Sequence, residues 1–214
     1  FIALLLTAYA IALCSGIPIA DTVKTITTGF GGILAYIGIV IVLGTIIGTI
    51  LEKTGAAIAM ADFVLRKVGH KRPVLAMSII GYIVSIPVFC DSGFVILSSL
   101  KKSLIQQTGK SAVAMTIALS TGLYATHTLV PPTPGPIAAA GNLHVDNLGL
   151  VILFGLGIAA FSALAGYLYA EWAGKRYRCA QDDLPRLADD HEIKALYKKL
   201  PSTLNTFLPI IVPI

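Results

Sequence analysis

The chain has 214 residues, of which 56% are hydrophobic and only 13% are charged. Soluble domains carry about 25% charged residues, so this composition excludes an ordinary soluble domain and predicts a membrane protein. The net charge of +5 does not indicate a nucleic acid partner, because the basic residues lie between apolar runs, where they would face headgroups and cytoplasm.

The first third of the chain predicts scaffold-type membrane helices over residues 1–72. Residues 1–17 are apolar and indicate the end of one span, and residues 29–51 form a glycine-rich second span after a polar turn at Asp21 and Lys24. Gly44 and Gly48 form a GxxxG pair, which is typical of close helix packing but also common by chance in membrane helices. Residues 52–72 alternate apolar and charged side chains, as an amphipathic interfacial helix does.

The next segment, residues 73–109, predicts a re-entrant helical hairpin. Its apolar run contains the sequence Ser-Ile-Pro-Val-Phe-Cys-Asp-Ser-Gly-Phe at residues 85–94. A proline, a carboxylate and a glycine so close together would disrupt a continuous membrane helix. We therefore expect the helix to break between Pro87 and Gly93 and to turn back.

A second break is expected within residues 111–144. Residues 127–136 read His-Thr-Leu-Val-Pro-Pro-Thr-Pro-Gly-Pro. The four prolines cannot all lie in a regular helix, because each lacks an N–H group and clashes with the preceding turn. Residues 137–143 would resume as a short half-helix. The segment therefore predicts a proline-broken helix that belongs, with the hairpin, to a transport-type unit over residues 73–146.

The last part of the chain predicts a membrane helix over residues 147–172, with Tyr167, Tyr169 and Trp172 at its interfacial end. Residues 173–202 form a charged cytoplasmic loop that we expect to carry a surface helix. Residues 203–214 are expected to begin another span. The overall prediction is an all-α polytopic membrane protein, and the open apolar runs at both ends suggest part of a longer one.

The distribution of Lys and Arg supports the hairpin. Segments 52–72, 101–110 and 173–202 hold five, three and seven of the sixteen basic residues, as expected if all three are cytoplasmic. The segment between the first two must then enter and leave by the same face, which one uninterrupted span cannot do. Lys101 follows Asp91 by about 15 Å of helix, so Asp91 would lie near the middle of a core about 30 Å thick.

Two breaks at membrane depth indicate a shared polar pocket, because lipid satisfies no backbone group. Half-helix N-termini suit an anionic substrate group, and freed carbonyls suit a cation. Asp91 is the acidic residue deepest in a predicted membrane element and is a candidate for proton coupling or substrate contact; the alternative is a structural N-cap on the returning helix. His127 could relay a proton or bind substrate, or simply pack beside the break.

Further candidates for substrate contact are polar or small residues near the two breaks. The hydroxyl groups could bind substrate or bond back to local backbone, and the glycines are best explained by tight turns. These candidates are Ser92, Gly93, Thr128, Thr133, Gly135 and Asn142. No residue pattern indicates a metal site, since the three cysteines are far apart.

At these two breaks the chain resembles the gluconate permease (GntP) family. The residues that carry the resemblance are segment 81–94, segment 127–136 with its PPxPGP core, the Gly-Phe-Gly-Gly run at 29–32 and the Leu-Glu-Lys-Thr-Gly turn at 51–55. The resemblance covers essentially the whole chain. It implies the first half of a permease about twice as long, within the ion-transporter superfamily, built from inverted repeats and working as an elevator-type homodimer.

The resemblance also implies proton-coupled uptake of gluconate-like sugar acids or other small hydroxy acids across a bacterial inner membrane. No cofactor is expected other than the coupling proton, and the partners are the small organic anion, the bilayer and a second subunit. The gluconate branch tends to have Phe-Glu where this chain has Cys90 and Asp91, and His in place of Thr133. A D-serine or similar amino-acid permease, or an uncoupled facilitator, therefore stays open. Enzyme motifs such as HExxH and GxSxG are absent.

Overall fold

The computed structural model describes residues 2–69, 71–145 and 147–183. Within these ranges the chain is helical, with no strand and with one 3₁₀ turn at Ala180–Asp183. The helices are α1 Ile2–Cys14, α2 Ile19–Lys53, α3 Ala56–Val68, α4 Pro73–Val84, α5 Cys90–Thr108, α6 Ala112–Leu129, α7 Pro134–Asn142 and α8 Leu148–Arg176. His70, Asp146, most of the expected cytoplasmic loop and the expected span at 203–214 lie outside the described residues.

The first turn of the chain lies earlier than the sequence predicted. Gly16 takes a left-handed φ of 73°, and Pro18 precedes the first residue of α2. Asp21 and Lys24 are therefore helical rather than part of a polar turn. The Gly-Ile-Pro signal, which ends one helix and allows the next to begin, outweighs the polarity of the residues that follow it. The two parts of α2, Ile19–Ala35 and Ile37–Lys53, meet at an angle of 51°.

Two described stretches are long and apolar enough to cross a membrane. They are Ala112–Asn142, which comprises α6 and α7, and Leu148–Arg176, which is α8; the bent α2 would be a third if its two parts form one span. The segment predicted as an interfacial helix is helical as α3, which buries an apolar face and keeps Arg66 exposed in an ion pair with Asp62 at 2.7 Å. The described residues thus form an all-α membrane protein.

Small residues allow α4, α6 and α8 to pack closely. A Cβ on Gly81 would lie 2.6 Å from the carbonyl oxygen of Leu119, and one on Gly122 would overlap the carbonyl oxygen of Ser78. Close backbone approach through small residues is how membrane helices gain van der Waals contact. Hydrogen bonds reinforce it: the Thr126 hydroxyl donates to the Tyr82 carbonyl at 2.8 Å.

The direction of these contacts shows that α4 and α5 form a helical hairpin. Along α4, Ser78 faces Gly122 and Tyr82 faces Thr126, so α4 runs parallel to α6. Along α5, the Cys90 end lies at the level of Tyr124 and Lys101 lies near the segment after α8, so α5 runs antiparallel to α6. The helix break occupies residues 85–89, because Asp, Ser and Gly are tolerated in a first helical turn and α5 begins earlier than expected.

One end of the bundle gathers two of the basic segments. Asp182, just after α8, accepts hydrogen bonds from the backbone N–H groups of Ala112 at 2.5 Å and Cys179 at 2.9 Å. Lys101 lies within α5 rather than in a loop, with its ammonium group 4.9 Å from the ring centroid of Phe94. The start of α6, Lys101 and the end of α8 thus share one side, as the charge pattern predicts.

Candidate functional site

The structure brings the two helix breaks together. A cleft of about 20 Å³ is lined by residues 86–89 of the first break, by Pro132 and Thr133 of the second, and by Gly44 of α2. Gly48 also faces the first break, since a Cβ there would lie 3.4 Å from the Pro87 carbonyl oxygen. Gly48 of the GxxxG pair therefore packs against a helix break, whereas Gly44 only borders the cleft. A volume of this size holds about one water molecule.

The first break presents the N-terminus of α5. Phe89 is the N-cap residue, and no side chain caps this helix, so the N-cap interpretation of Asp91 is wrong. Gly93 N–H bonds to the Phe89 carbonyl at 2.8 Å, but the first-turn N–H groups of Cys90, Asp91 and Ser92 have no helical acceptor. Three donors and the positive end of the helix dipole thus lie at this junction.

The second break presents far fewer donors. Thr133 is the N-cap of α7, and its buried hydroxyl donates to the Val130 carbonyl at 2.6 Å. The first helical turn is Pro134, Gly135 and Pro136, so Gly135 supplies its one N–H group. The Pro131–Pro132 peptide bond is cis.

Asp91 lies at the mouth of a groove between α5 and α6. The groove has a volume of about 340 Å³ and is lined by Cys90, Asp91, Phe94, Val95, Ser120, Leu123 and Tyr124. Asp91 is exposed within the described residues, whereas the sequence led us to expect a buried carboxylate. A carboxylate on an apolar helix cannot face lipid cheaply, so it must face water or another part of the protein.

His127 lies between the groove and the cleft. Its ring meets that of Phe89 edge-on at a centroid distance of 5.8 Å, and it interacts electrostatically with Asp91. Its Nδ1 atom is buried without a hydrogen-bond partner, as is the Ser85 hydroxyl in the first break. Unsatisfied buried polar atoms cost stability, so each needs an explanation, and a role in binding or proton transfer is one.

The other predicted residues divide into near and remote groups. Ser92 is half-buried in the first turn of α5, and Thr128 is exposed with its hydroxyl bonded back to the Tyr124 carbonyl at 2.8 Å. Asn142 lies away from the breaks, in a separate groove between α2 and α7. Gly135 is helical with open space around it.

The turn explanation fails for both predicted glycines, since neither has a positive φ. Gly93 is required instead by close packing, because a Cβ would lie 3.0 Å from Leu123 Cδ2.

Sequence reasoning missed two aromatic residues of the site, Phe89 and Tyr124. Phe89 contacts α2 and His127 from the first break. Tyr124 precedes His127 by three residues, a spacing that places both on neighbouring positions of one helix face. That spacing was readable in the sequence, but its significance depends on α5 packing beside α6.

Two helix breaks that meet around polar groups, within a bundle of apolar helices, define an all-α membrane protein of the transporter class. Comparison with known families identifies the family to which this transporter belongs. The family model for GntP family permeases matches residues 1–214, and the chain belongs to this family.

Relatives with curated names match this chain at moderate identity. The chain is 40% identical over its full length to an uncharacterized permease of Haemophilus influenzae, 45% of which it covers. It is 38% identical to a gluconate permease of Pseudomonas aeruginosa, over 79% of this chain and 38% of that protein. It is 33% identical over its full length to the D-serine transporter DsdX of Escherichia coli K12, of which it covers 47%.

The chain therefore spans less than half the length of these relatives. No solved structure matches it. A further relative from Escherichia coli is named as an inner membrane permease, and family membership together with the apolar helices makes this a multi-pass protein of the bacterial inner membrane.

Proposed function

We propose that the full-length protein is a secondary active transporter that takes up a small hydroxy-acid anion together with protons. The observation that carries the proposal is the first break, where the N-terminus of α5 presents its first-turn N–H groups beside the carboxylate of Asp91. Peptide N–H groups at a helix N-terminus bind carboxylates, and an ionisable group at membrane depth is a default candidate for proton coupling.

The charges at the first break suggest a role for each of its groups. The substrate carboxylate would bind the N-terminus of α5, where the helix dipole favours negative charge. An ionised Asp91 beside that carboxylate would repel it, so protonation of Asp91 would favour substrate binding and couple the two uptakes. His127 interacts with Asp91 and has a buried free nitrogen, which suits a group that exchanges the proton.

Conformational change in this proposal moves the α4–α5 hairpin and α7 relative to α1 and α2. The hairpin would be re-entrant, opening to the cytoplasmic face as the basic segments require. The missing part of the chain would supply an inverted repeat, and two subunits would form an elevator-type homodimer.

Two substrate classes have specific support. Gluconate and related sugar acids are suggested by relatives named gluconate permease, and a small amino acid is suggested by the relative named D-serine transporter. Asp91, one methylene shorter than the Glu typical of the gluconate branch, favours a substrate other than gluconate itself.

The test is uptake by the full-length permease in liposomes, with an inward proton gradient and labelled gluconate or D-serine. We expect accumulation above equilibrium that an uncoupler abolishes. Equilibration without accumulation would identify an uncoupled facilitator, and absence of any uptake of hydroxy or amino acids would overturn the proposal.

A further inference from the structure

Tyr124 is an exposed phenol where a membrane helix has no ordinary reason to carry one. It lies on α6 about 18 Å along the helix from Ala112, well inside a stretch that can span the membrane. Tyrosines that serve as membrane anchors lie at the interfaces, as Tyr169 does beside Trp172 at the end of α8. The side chain of Tyr124 is nevertheless 54% exposed.

The direction of this side chain gives the reason. Tyr124 lines the α5–α6 groove and interacts electrostatically with both Cys90 and Asp91 across it. Ser120, one helical turn earlier on α6, lines the same groove, although its hydroxyl donates to the Thr116 carbonyl at 2.9 Å. The groove thus offers a carboxylate and a phenol above an apolar floor formed by Phe94 and Leu123.

The groove is much larger than the cleft between the breaks. Small-molecule sites occupy about 300–1,000 Å³ and are mostly apolar with a few placed polar groups. The groove, at about 340 Å³, meets both conditions, whereas the cleft of about 20 Å³ between the breaks does not. A hydroxy acid anchored at the α5 N-terminus would therefore extend its carbon chain along the groove.

We propose that the α5–α6 groove is the subsite that binds the hydroxyl group of the substrate, and that Tyr124 is a specificity-determining residue in it. The inference rests on the proposed function. The ligand class is a carboxylate that carries at least one hydroxyl, a chemistry that gluconate and D-serine share. The Tyr124 hydroxyl and Asp91 would pair with the substrate hydroxyl, and a substrate without that hydroxyl would forgo both bonds.

The direct test compares substrates that differ by one hydroxyl. Uptake of the preferred substrate by the full-length permease is measured with the deoxy analogue as competitor: D-alanine against D-serine, or 3-deoxygluconate against gluconate. In Tyr124→Phe we expect the preference for the hydroxylated compound to fall at least about tenfold, a small part of what hydroxyl-reading sites achieve. The matched control, Tyr169→Phe, removes the hydroxyl of an equally exposed tyrosine near the end of α8 and should leave the preference unchanged.

A second measurement does not depend on selectivity. Cysteine is placed at position 124 as Tyr124→Cys, or at the control position as Tyr169→Cys, in a background of Cys14→Ser and Cys179→Ser that keeps the buried Cys90. A water-soluble maleimide should label both positions above background, and substrate should slow labelling at position 124 alone.

The outcomes are distinct. Unchanged selectivity in Tyr124→Phe, no labelling at position 124, or labelling that substrate does not slow would each overturn the subsite while wild-type uptake continues. Loss of wild-type uptake itself would count against the proposed function instead.

Discussion

The two helix breaks use proline in similar ways but differ in the chemistry they expose. The break at 85–89 opens into α5, whose first three residues all carry N–H groups and include Asp91. The break at 130–133 opens into α7, whose first turn retains only the N–H of Gly135 between two prolines. Its N-cap hydroxyl, on Thr133, is already bonded to the backbone.

This difference indicates that the two breaks have different functions. Prolines at the start of α7 fix the backbone and remove donors, so the second break is built for rigidity. The first break keeps its first-turn N–H groups and adds an ionisable group. Substrate binding and coupling are therefore expected from the first break, with the second forming a rigid wall beside it.

The largest effect is expected for Asp91→Asn, which removes the ionisable group but keeps its size. If Asp91 carries the coupling proton, gradient-driven accumulation in liposomes should fall at least about 100-fold, the lower end of what positioned acids and bases contribute. Exchange of substrate across the membrane without a gradient should persist, because it needs no net proton movement.

The matched control is Asp21→Asn in the first turn of α2, another exposed aspartate that lies away from the breaks. It should accumulate substrate like the wild type. If Asp91→Asn accumulates substrate equally well, Asp91 does not couple transport and the contrast between the breaks loses its main support.

The next effect concerns His127→Leu. Its Nδ1 is buried and unpartnered, so replacement by an apolar side chain should leave thermal stability unchanged or raise it by about 1 kcal/mol. Uptake should nevertheless fall about tenfold, because the group that exchanges protons with Asp91 is lost. Melting of the purified permease and uptake rates measure the two. A stability loss with normal uptake would show that His127 is a packing residue.

The sequence was sufficient for the two breaks, because prolines and the distribution of basic residues act locally and are readable in order. It also pointed to Asp91 and His127. It placed the first break late because Asp91, Ser92 and Gly93 suit a turn and a first helical turn equally well. Tyr124, Phe89 and the packing role of Gly93 depend on which helices are neighbours, which no local pattern states.

A third change tests the packing that holds the first break. Gly122→Ala would place a methyl group against the Ser78 carbonyl of α4, and backbone at a helix contact cannot move aside. We expect a loss of about 1–3 kcal/mol, typical of overpacking, measured as a lower melting temperature of the full-length permease. Gly135→Ala in α7, where nothing lies within 4 Å, should change stability by less than about 0.5 kcal/mol. Equal losses in both variants would argue against the close α4–α6 contact.

The smallest effect is expected at the second break. Thr133→Val removes the hydroxyl that donates to the Val130 carbonyl, a bond of 2.6 Å in a buried position, and keeps the side-chain shape. Stability should fall by about 1 kcal/mol, the usual net contribution of one hydrogen bond, and Thr133→Ser should restore it. Substrate affinity should stay unchanged in both variants, because the hydroxyl already has its partner. A KM raised in Thr133→Val and normal in Thr133→Ser would mean that this hydroxyl turns to the substrate, and the second break would then share in binding.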